Sequence, residues 1–383
     1  MKILYTNFHD GDGGGHTPFL IALARGLRAR HEIHLALPPS SRAYREAQAL
    51  DGVRVHAQPF PNGLKHWAAR RAARSQLRAL LMREGFDIVH VNGSADHRLA
   101  LSALRGLTPK PKLVWTKHNS KPVRGLGHAL RARRTDLAIA VSEATRRELL
   151  GTAYARCAPV TVRNGIDTAH FAPVADELAR AERARWLGEA AHASPPPLLL
   201  GSNAGTADYK GWMDLVEALA RLQPAERAQI QVLLCGKPPS EAQRARIEAL
   251  GLASQVHFAG MLGDVRPAIA AIDAGFVLSY AVETISFACR EMMAMGKPVL
   301  VSDYAGLPEN IAPGIDGWVA KTRDIAAIAQ ALRKMLQQRD ALPAMGAAAR
   351  AKAVREFDLS QFVEGTEAAY RGVLPPHQIT SPG

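Results

Sequence analysis

Apolar positions along the 383-residue chain alternate between short β-type runs and stretches with helical spacing. Residues 2–7 (KILYTN) read as a strand. Leu20, Leu23, Ala24 and Leu27 then recur at helical spacing within residues 17–30, and residues 32–37 form a second strand. The same rhythm places strands at 88–92, 113–116, 136–141 and 160–163, with a helix opened by Ser142 and Glu143. It restarts at 197–201, 231–235, 256–260, 275–280 and 299–301, with helices at 211–222, at 286–295 and from 324 onward. Strands alternating with helices predict βαβ units and parallel sheets, the α/β class. Residues 172–196, acidic and then rich in Ala and Pro, read as a linker. Two domains are therefore expected: residues 1–170, joined by a returning helical tail at 357–383, and residues 171–356.

Composition adds bounds. The chain is 47% hydrophobic and 22% charged, as in soluble globular proteins. No apolar run reaches the ~18–20 residues of a membrane span. The first residues read as a strand and not as a signal peptide. Cys157, Cys235 and Cys289 are odd in number and widely spaced, which argues against a disulfide framework or a zinc site. These features predict a cytoplasmic protein, and Asn92-Gly93-Ser94 is discounted as a glycosylation acceptor. The net charge of +13 is lopsided: residues 1–170 carry 27 Lys and Arg against 12 Asp and Glu, and the remainder carries 21 against 23. An acidic partner for the first half is implied.

Chemistry concentrates in residues 274–303, which read as strand, loop, helix, strand. Glu283 lies at the carboxyl end of the first strand and Glu291 lies eight positions on, in the helix. Ligands of open parallel sheets bind outside the carboxyl ends of strands. The helix start, at Ser286 and Phe287, offers unpaired N–H groups to an anion such as phosphate. An acid beside such a site accepts hydrogen bonds from sugar hydroxyls. A nucleotide sugar supplies both kinds of group.

Glu283, seven intervening residues, Glu291 and the following Met-Met-Ala-Met-Gly-Lys-Pro-Val resemble the E-x7-E signature of retaining glycosyltransferases of family 4. The resemblance runs over about residues 1–370. It implies the GT-B fold, two Rossmann-like domains facing across a cleft, with the acceptor bound by the first domain and the donor by the second. It implies transfer of a sugar from a nucleotide-diphosphate donor to an acceptor hydroxyl with retention of configuration, without a metal or other cofactor. Glu283 would approach the donor sugar and Glu291 the ribose. Asn164-Gly165-Ile166-Asp167 with Phe171 is similar to the family's N-G-x-D…F segment. Gly14 and Gly15 stand in the glycine loop that faces the donor, and His118 follows the strand whose histidine contacts the sugar. Lys210, before Gly211, matches the lysine that neutralises the diphosphate. The family's partner arginine is missing from this loop. A Gly-Ser opening, Gly201-Ser202, is similar to the lipopolysaccharide-core members.

Asp10-Gly11-Asp12 sits in a glycine run, where loop polarity outweighs metal binding. Residues 65–83 form a basic helix with Arg70, Arg71 and Arg74, and Arg124, Arg131, Arg133 and Arg134 extend the basic surface. They point to a phosphorylated or acidic glycan or glycolipid acceptor, or to peripheral contact with an anionic inner membrane. Two rivals are a GT-B-like nucleotide-sugar epimerase and a basic nucleic-acid-binding protein. The second lacks zinc-finger spacing, aromatic RNA-binding motifs and basic-zipper heptads, so no nucleic-acid partner is expected.

Overall fold

Two parallel sheets organise the chain, each in its own unit, in a computed structural model that describes residues 1–375. The first unit comprises Met1–Gly165 and the residues from Leu359 on; the second is Ile166–Asp358.

The first unit runs β1 (Lys2–Thr6), α1 (His16–Leu27), β2 (Glu32–Leu37), α2 (Arg42–Gln48), β3 (Val53–Ala57), α3 (Trp67–Glu84), β4 (Ile88–Val91), α4 (Ser94–Ala103), β5 (Lys112–Lys117), α5 (Leu126–Ala132), β6 (Leu137–Ala140), α6 (Glu143–Leu150) and β7 (Val160–Thr161). Its seven strands lie in the order β3-β2-β1-β4-β5-β6-β7. Strand order reverses between β1 and β4, which opens a crevice at their carboxyl ends. Both faces are covered, which is why the central strands are apolar on both sides. On one face Leu20, Leu23 and Leu27 of α1 pack on Ile3, Tyr5 and Ile33. On the other, Leu77, Leu80 and Leu81 of α3 and Ala100 and Ala103 of α4 pack on Leu4, Val89 and Leu113.

The second unit runs α7 (Asp176–Leu187), β8 (Leu198–Ser202), α8 (Trp212–Ala220), α9 (Pro224–Arg227), β9 (Ile230–Cys235), α10 (Glu241–Ala249), β10 (Val256–Gly260), α11 (Arg266–Ala271), β11 (Ala274–Val277), α12 (Phe287–Ala294), β12 (Val299–Ser302), β13 (Gly317–Ala320), α13 (Ile325–Gln337) and α14 (Leu342–Glu356). The sheet order is β10-β9-β8-β11-β12-β13, so its switch point lies between β8 and β11. Gly275 sets the depth of α12. A Cβ there would lie 2.4 Å from the sulfur of Met292, so a glycine lets α12 settle directly on β11. The last helix, α15 (Leu359–Val373), returns to the first unit. Val363 occupies the space over Gly26 of α1, and the Tyr370 hydroxyl meets His90 Nδ1 at 2.5 Å and the Tyr5 hydroxyl at 3.0 Å.

Three expectations need correction. The expected linker holds α7, which Arg183 ties to the sheet through Asp273 (2.7 Å) and the Pro197 carbonyl (2.5 Å). Its Ala- and Glu-rich composition is that of a helix former. The strand expected to reach residue 280 ends at Val277, because Leu278 to Tyr280 already turn toward the site. Helices α2, α4 and α5 and strand β3 carry too few periodic apolar residues to stand out; β3, VRVHA, has no fully buried residue.

Candidate active site

At the switch point of the second unit, loop and helix bring Lys210 to Glu283 and Asn203 to Glu291. Gly211 makes this possible. It adopts φ +71°, and a Cβ would lie 2.0 Å from the Leu278 carbonyl oxygen. Tyr280 N–H also donates to the Tyr209 carbonyl at 2.9 Å. The Lys210-Gly211 turn is thus fastened to the end of β11, and Lys210 Nζ lies 2.7 Å from Glu283 Oε2. Both side chains are largely buried, so the pair is stronger than a surface bridge. On the neighbouring element, Asn203 Nδ2 donates to Glu291 Oε2 at 2.6 Å. Burial drives the Glu291 carboxyl up to about 7, opposed by the Asn203 hydrogen bond. Ser286 caps α12 by accepting Cys289 N–H at 3.3 Å, and Phe287 begins the helix. The loop between β11 and α12 stores strain: Val282 at φ +60° and Ser286 at φ +55° have positive φ without being glycine.

In the first unit, His118 lies just beyond β5, at the carboxyl edge of the sheet. Asn92 Nδ2 donates to the Thr6 carbonyl (3.0 Å), so its Oδ1 faces His118 Nε2 at 2.9 Å. That orientation puts the imidazole proton on Nε2. The ring sits in a cluster, tilted against His16 at 4.3 Å and edge-on to Phe19 at 4.5 Å. Burial, with the neighbouring histidines, holds His118 well below the ordinary histidine range, and His16 falls to about 3. A neutral, apolar-walled histidine suits contact with a sugar better than proton transfer at neutral pH. Gly14, at φ +50°, and Gly15, the N-cap, open α1 without any side-chain cap.

Asp10 and Asp12 serve their own loop. Asp10 Oδ1 accepts Gly11 N–H and the Ser40 hydroxyl, and Asp12 accepts Gly14 N–H and pairs with Arg42 at 3.3 Å. Among the described residues one metal-ligating group converges elsewhere, Glu32, His34 and Glu84. Lys2 and Arg54 already pair with both of its carboxylates. Of the predicted basic residues, Arg70 and Arg71 are exposed. Arg74 is exposed too but donates to the Ser102 carbonyl at 3.1 Å, tying α3 to α4. Arg131 is the correction: it is buried, because α5 turns it inward toward Tyr154 and His97.

Both sites fall within stretches that match known families. The family described as Glycosyltransferase Family 4 matches residues 13–170, and that described as Glycosyl transferases group 1 matches residues 197–338. Between them they take in both crevices. The crystal structure of Anabaena HepE in complex with UDP superposes with a TM-score of 0.80 at 20% identity, over 97% of this chain and 100% of that one. The chain has the GT-B fold, and each of its two halves matches a glycosyltransferase family model. A GDP-mannose-dependent alpha-(1-6)-phosphatidylinositol monomannoside mannosyltransferase of Mycobacterium tuberculosis is 29% identical over 61% of this chain, and the match spans 63% of that relative's length. The lipopolysaccharide core biosynthesis mannosyltransferase LpsB of Rhizobium meliloti is 25% identical over 70% of this chain and 74% of its own. Asn203 and Tyr209 escaped the sequence reading as partners of Glu291 and Lys210. Asn203 gave one signal, its place directly after β8 at the switch point. Tyr209, whose ring lies 5.3 Å from Lys210 Nζ, gave none.

Proposed function

We propose that this chain is a glycosyltransferase that moves a hexose, with retention, from a nucleotide-diphosphate donor to a hydroxyl of an anionic glycan or glycolipid, in the synthesis of lipopolysaccharide or another cell-surface glycan. The carrying observation is the pairing of Lys210 with Glu283 and of Asn203 with Glu291 around the start of α12. Glu283 positions donor-sugar hydroxyls, and Glu291 accepts from the ribose. Lys210 and the α12 N-terminus hold the diphosphate as negative charge builds on it. His118 contacts the sugar, and Gly14 and Gly15 leave room for the donor. The bond from the anomeric carbon to the diphosphate breaks, and a bond to the acceptor oxygen forms on the same face. The acceptor proton passes to the departing phosphate. The HepE structure with UDP and the mannosyltransferase relatives support a nucleotide-sugar donor.

The charge split supports the acceptor reading. The first unit holds 28 Lys and Arg against 13 Asp and Glu, and the second 20 against 22. A donor site in the second unit leaves that surplus for an anionic acceptor and for peripheral contact with the inner face of a membrane. Thermal-shift screening of nucleotide sugars identifies the donor, because a bound ligand raises stability with the logarithm of its concentration. NMR of the first-formed anomer then tests retention. An inverted product, or a nucleotide sugar interconverted without acceptor, overturns the reading.

A further inference from the structure

One face of the first unit combines charge and exposed apolar surface in a way the donor site does not use. Residues 58–135 carry 16 Lys and Arg against 3 Asp and Glu, a surplus equal to the net charge of the whole chain. Of the three acids only Glu84 offsets a residue of this set, through Arg83 at 3.0 Å. Glu84 pairs with Lys2, Asp87 accepts the Lys2 backbone N–H, and Asp96 is buried. Helices α3, α4 and α5 all connect strands added in the same direction, so right-handed crossovers place them side by side on one sheet face. Each begins at the carboxyl edge of the sheet, beside the crevice that holds His118. Arg98 of α4 shows that the row is continuous: burial and the charges of Arg131 on α5 and Arg70 on α3 pull its guanidinium below the ordinary range.

Apolar side chains crown the same edge. Trp67, the first residue of α3, is 70% exposed, and Leu126 and Leu130 of α5 are 84% and 61% exposed. The described side chains from Lys65 to Ala72 are all exposed, so the opening turns of α3 project from the core. Leu126 and Leu130 stand one helical turn apart and share a face. Basic residues around exposed Trp and Leu match the headgroup and upper acyl layers of an anionic bilayer. A soluble polyanion would leave the apolar crown in water.

We propose that Trp67, Leu126 and Leu130 insert into the acyl boundary of an anionic membrane while Arg70, Arg71 and Arg124 hold the headgroups. This rests on the membrane-facing acceptor reading above and deepens it: the acceptor is a lipid-borne hydroxyl, delivered to the first unit's crevice from the same bilayer. The full chain is mixed with vesicles of phosphatidylcholine, with and without phosphatidylglycerol, carrying bromine on the acyl chains. Trp115, Trp212 and Trp318 are buried and Trp186 is half-buried, so quenching by bromolipid reports Trp67. The expected result is quenching with anionic vesicles that disappears in Trp67→Phe. Partition is expected to weaken about tenfold for each of Leu126→Ser and Leu130→Ser. Thermal melts and transfer to a water-soluble acceptor are expected to be unchanged in these variants. Salt-releasable vesicle binding without quenching overturns insertion and leaves the electrostatic contact. Equal indifference to both vesicle types overturns docking altogether, and tighter binding to RNA than to vesicles overturns the lipid assignment. Failure of the wild type to transfer sugar to either a water-soluble or a vesicle-borne acceptor strikes the functional reading instead.

Discussion

At Glu291, function and stability pull in opposite directions. The carboxyl is driven up to about 7 by burial, above its ordinary value near 4.5. The folded state therefore binds more protons than the unfolded chain between those two values, and stability falls as pH rises through that window. The shift corresponds to about 3 kcal/mol at most, less after solvent screening. Gln keeps the acceptor for Asn203 without the charge. Glu291→Gln is expected to melt higher than wild type at pH 8 and equally at pH 4, while binding the donor more weakly. Glu291→Ala is expected to cost about 1.5–3 kcal/mol of donor affinity. Calorimetric titration with the donor and melts across pH check both, and unchanged affinity in both variants removes Glu291 from the site. Lys210→Ala strips Glu283 of its cation and, on the proposed reading, the diphosphate of its counter-charge. Turnover is expected to fall ~10²–10³-fold, by analogy with loss of one electrostatic stabiliser. Steady-state kinetics read it, and a change confined to KM argues against a role in the transition state.

Elements place these residues through close backbone approaches. Gly211 is the sharpest case, with its left-handed φ and the Leu278 carbonyl at 2.0 Å from a would-be Cβ. Gly211→Ala is expected to cost about 3 kcal/mol or more, because the backbone must move and the strain adds to the clash. Gly14 has the same hand but nothing within 4 Å of a Cβ. Gly14→Ala is expected to cost only about 1–2 kcal/mol of stability. If the loop lets the donor approach, donor affinity falls as well. Denaturant melts compared with donor titrations separate the two, and a Gly211→Ala protein of wild-type stability would show that the turn does not hold Lys210 in place.

For the whole molecule, the last helix belongs to the first unit although the chain reaches it from the second. Phe362, Val363 and Tyr370 of α15 are buried in the core formed by α1 and β1. A chain ending at Asp358 is expected to lose hydrogen-exchange protection in β1, α1 and β4 and to keep it in the second unit. Uniform protection in both would mean α15 contributes little. Metal dependence is also a property of the whole. Asp10 and Asp12 are engaged by Ser40, Arg42 and their own loop. Activity is expected to survive EDTA; loss restored by Mg²⁺ or Mn²⁺ would return these acids to candidacy.

The sequence alone determined what depends on near neighbours in the chain. Alternating apolar runs and helical spacing made two series of βαβ units legible. The eight-residue step from Glu283 to Glu291 placed one acid before α12 and one within it, and the charge bias of the first half needed only counting. Tertiary structure alone decided which side chains meet. Asn203 and Glu291 stand 88 positions apart and Lys210 and Glu283 73, and no local pattern encodes those partners. They meet because β8 and β11 are neighbours and because Gly211 and Gly275 let backbone and helix settle closely. Exposure was decided in the same way. Arg70 and Arg131 are alike as residues in basic runs. Packing leaves the first in solvent and turns the second into the core, because burial is set by what a fold places opposite a side chain.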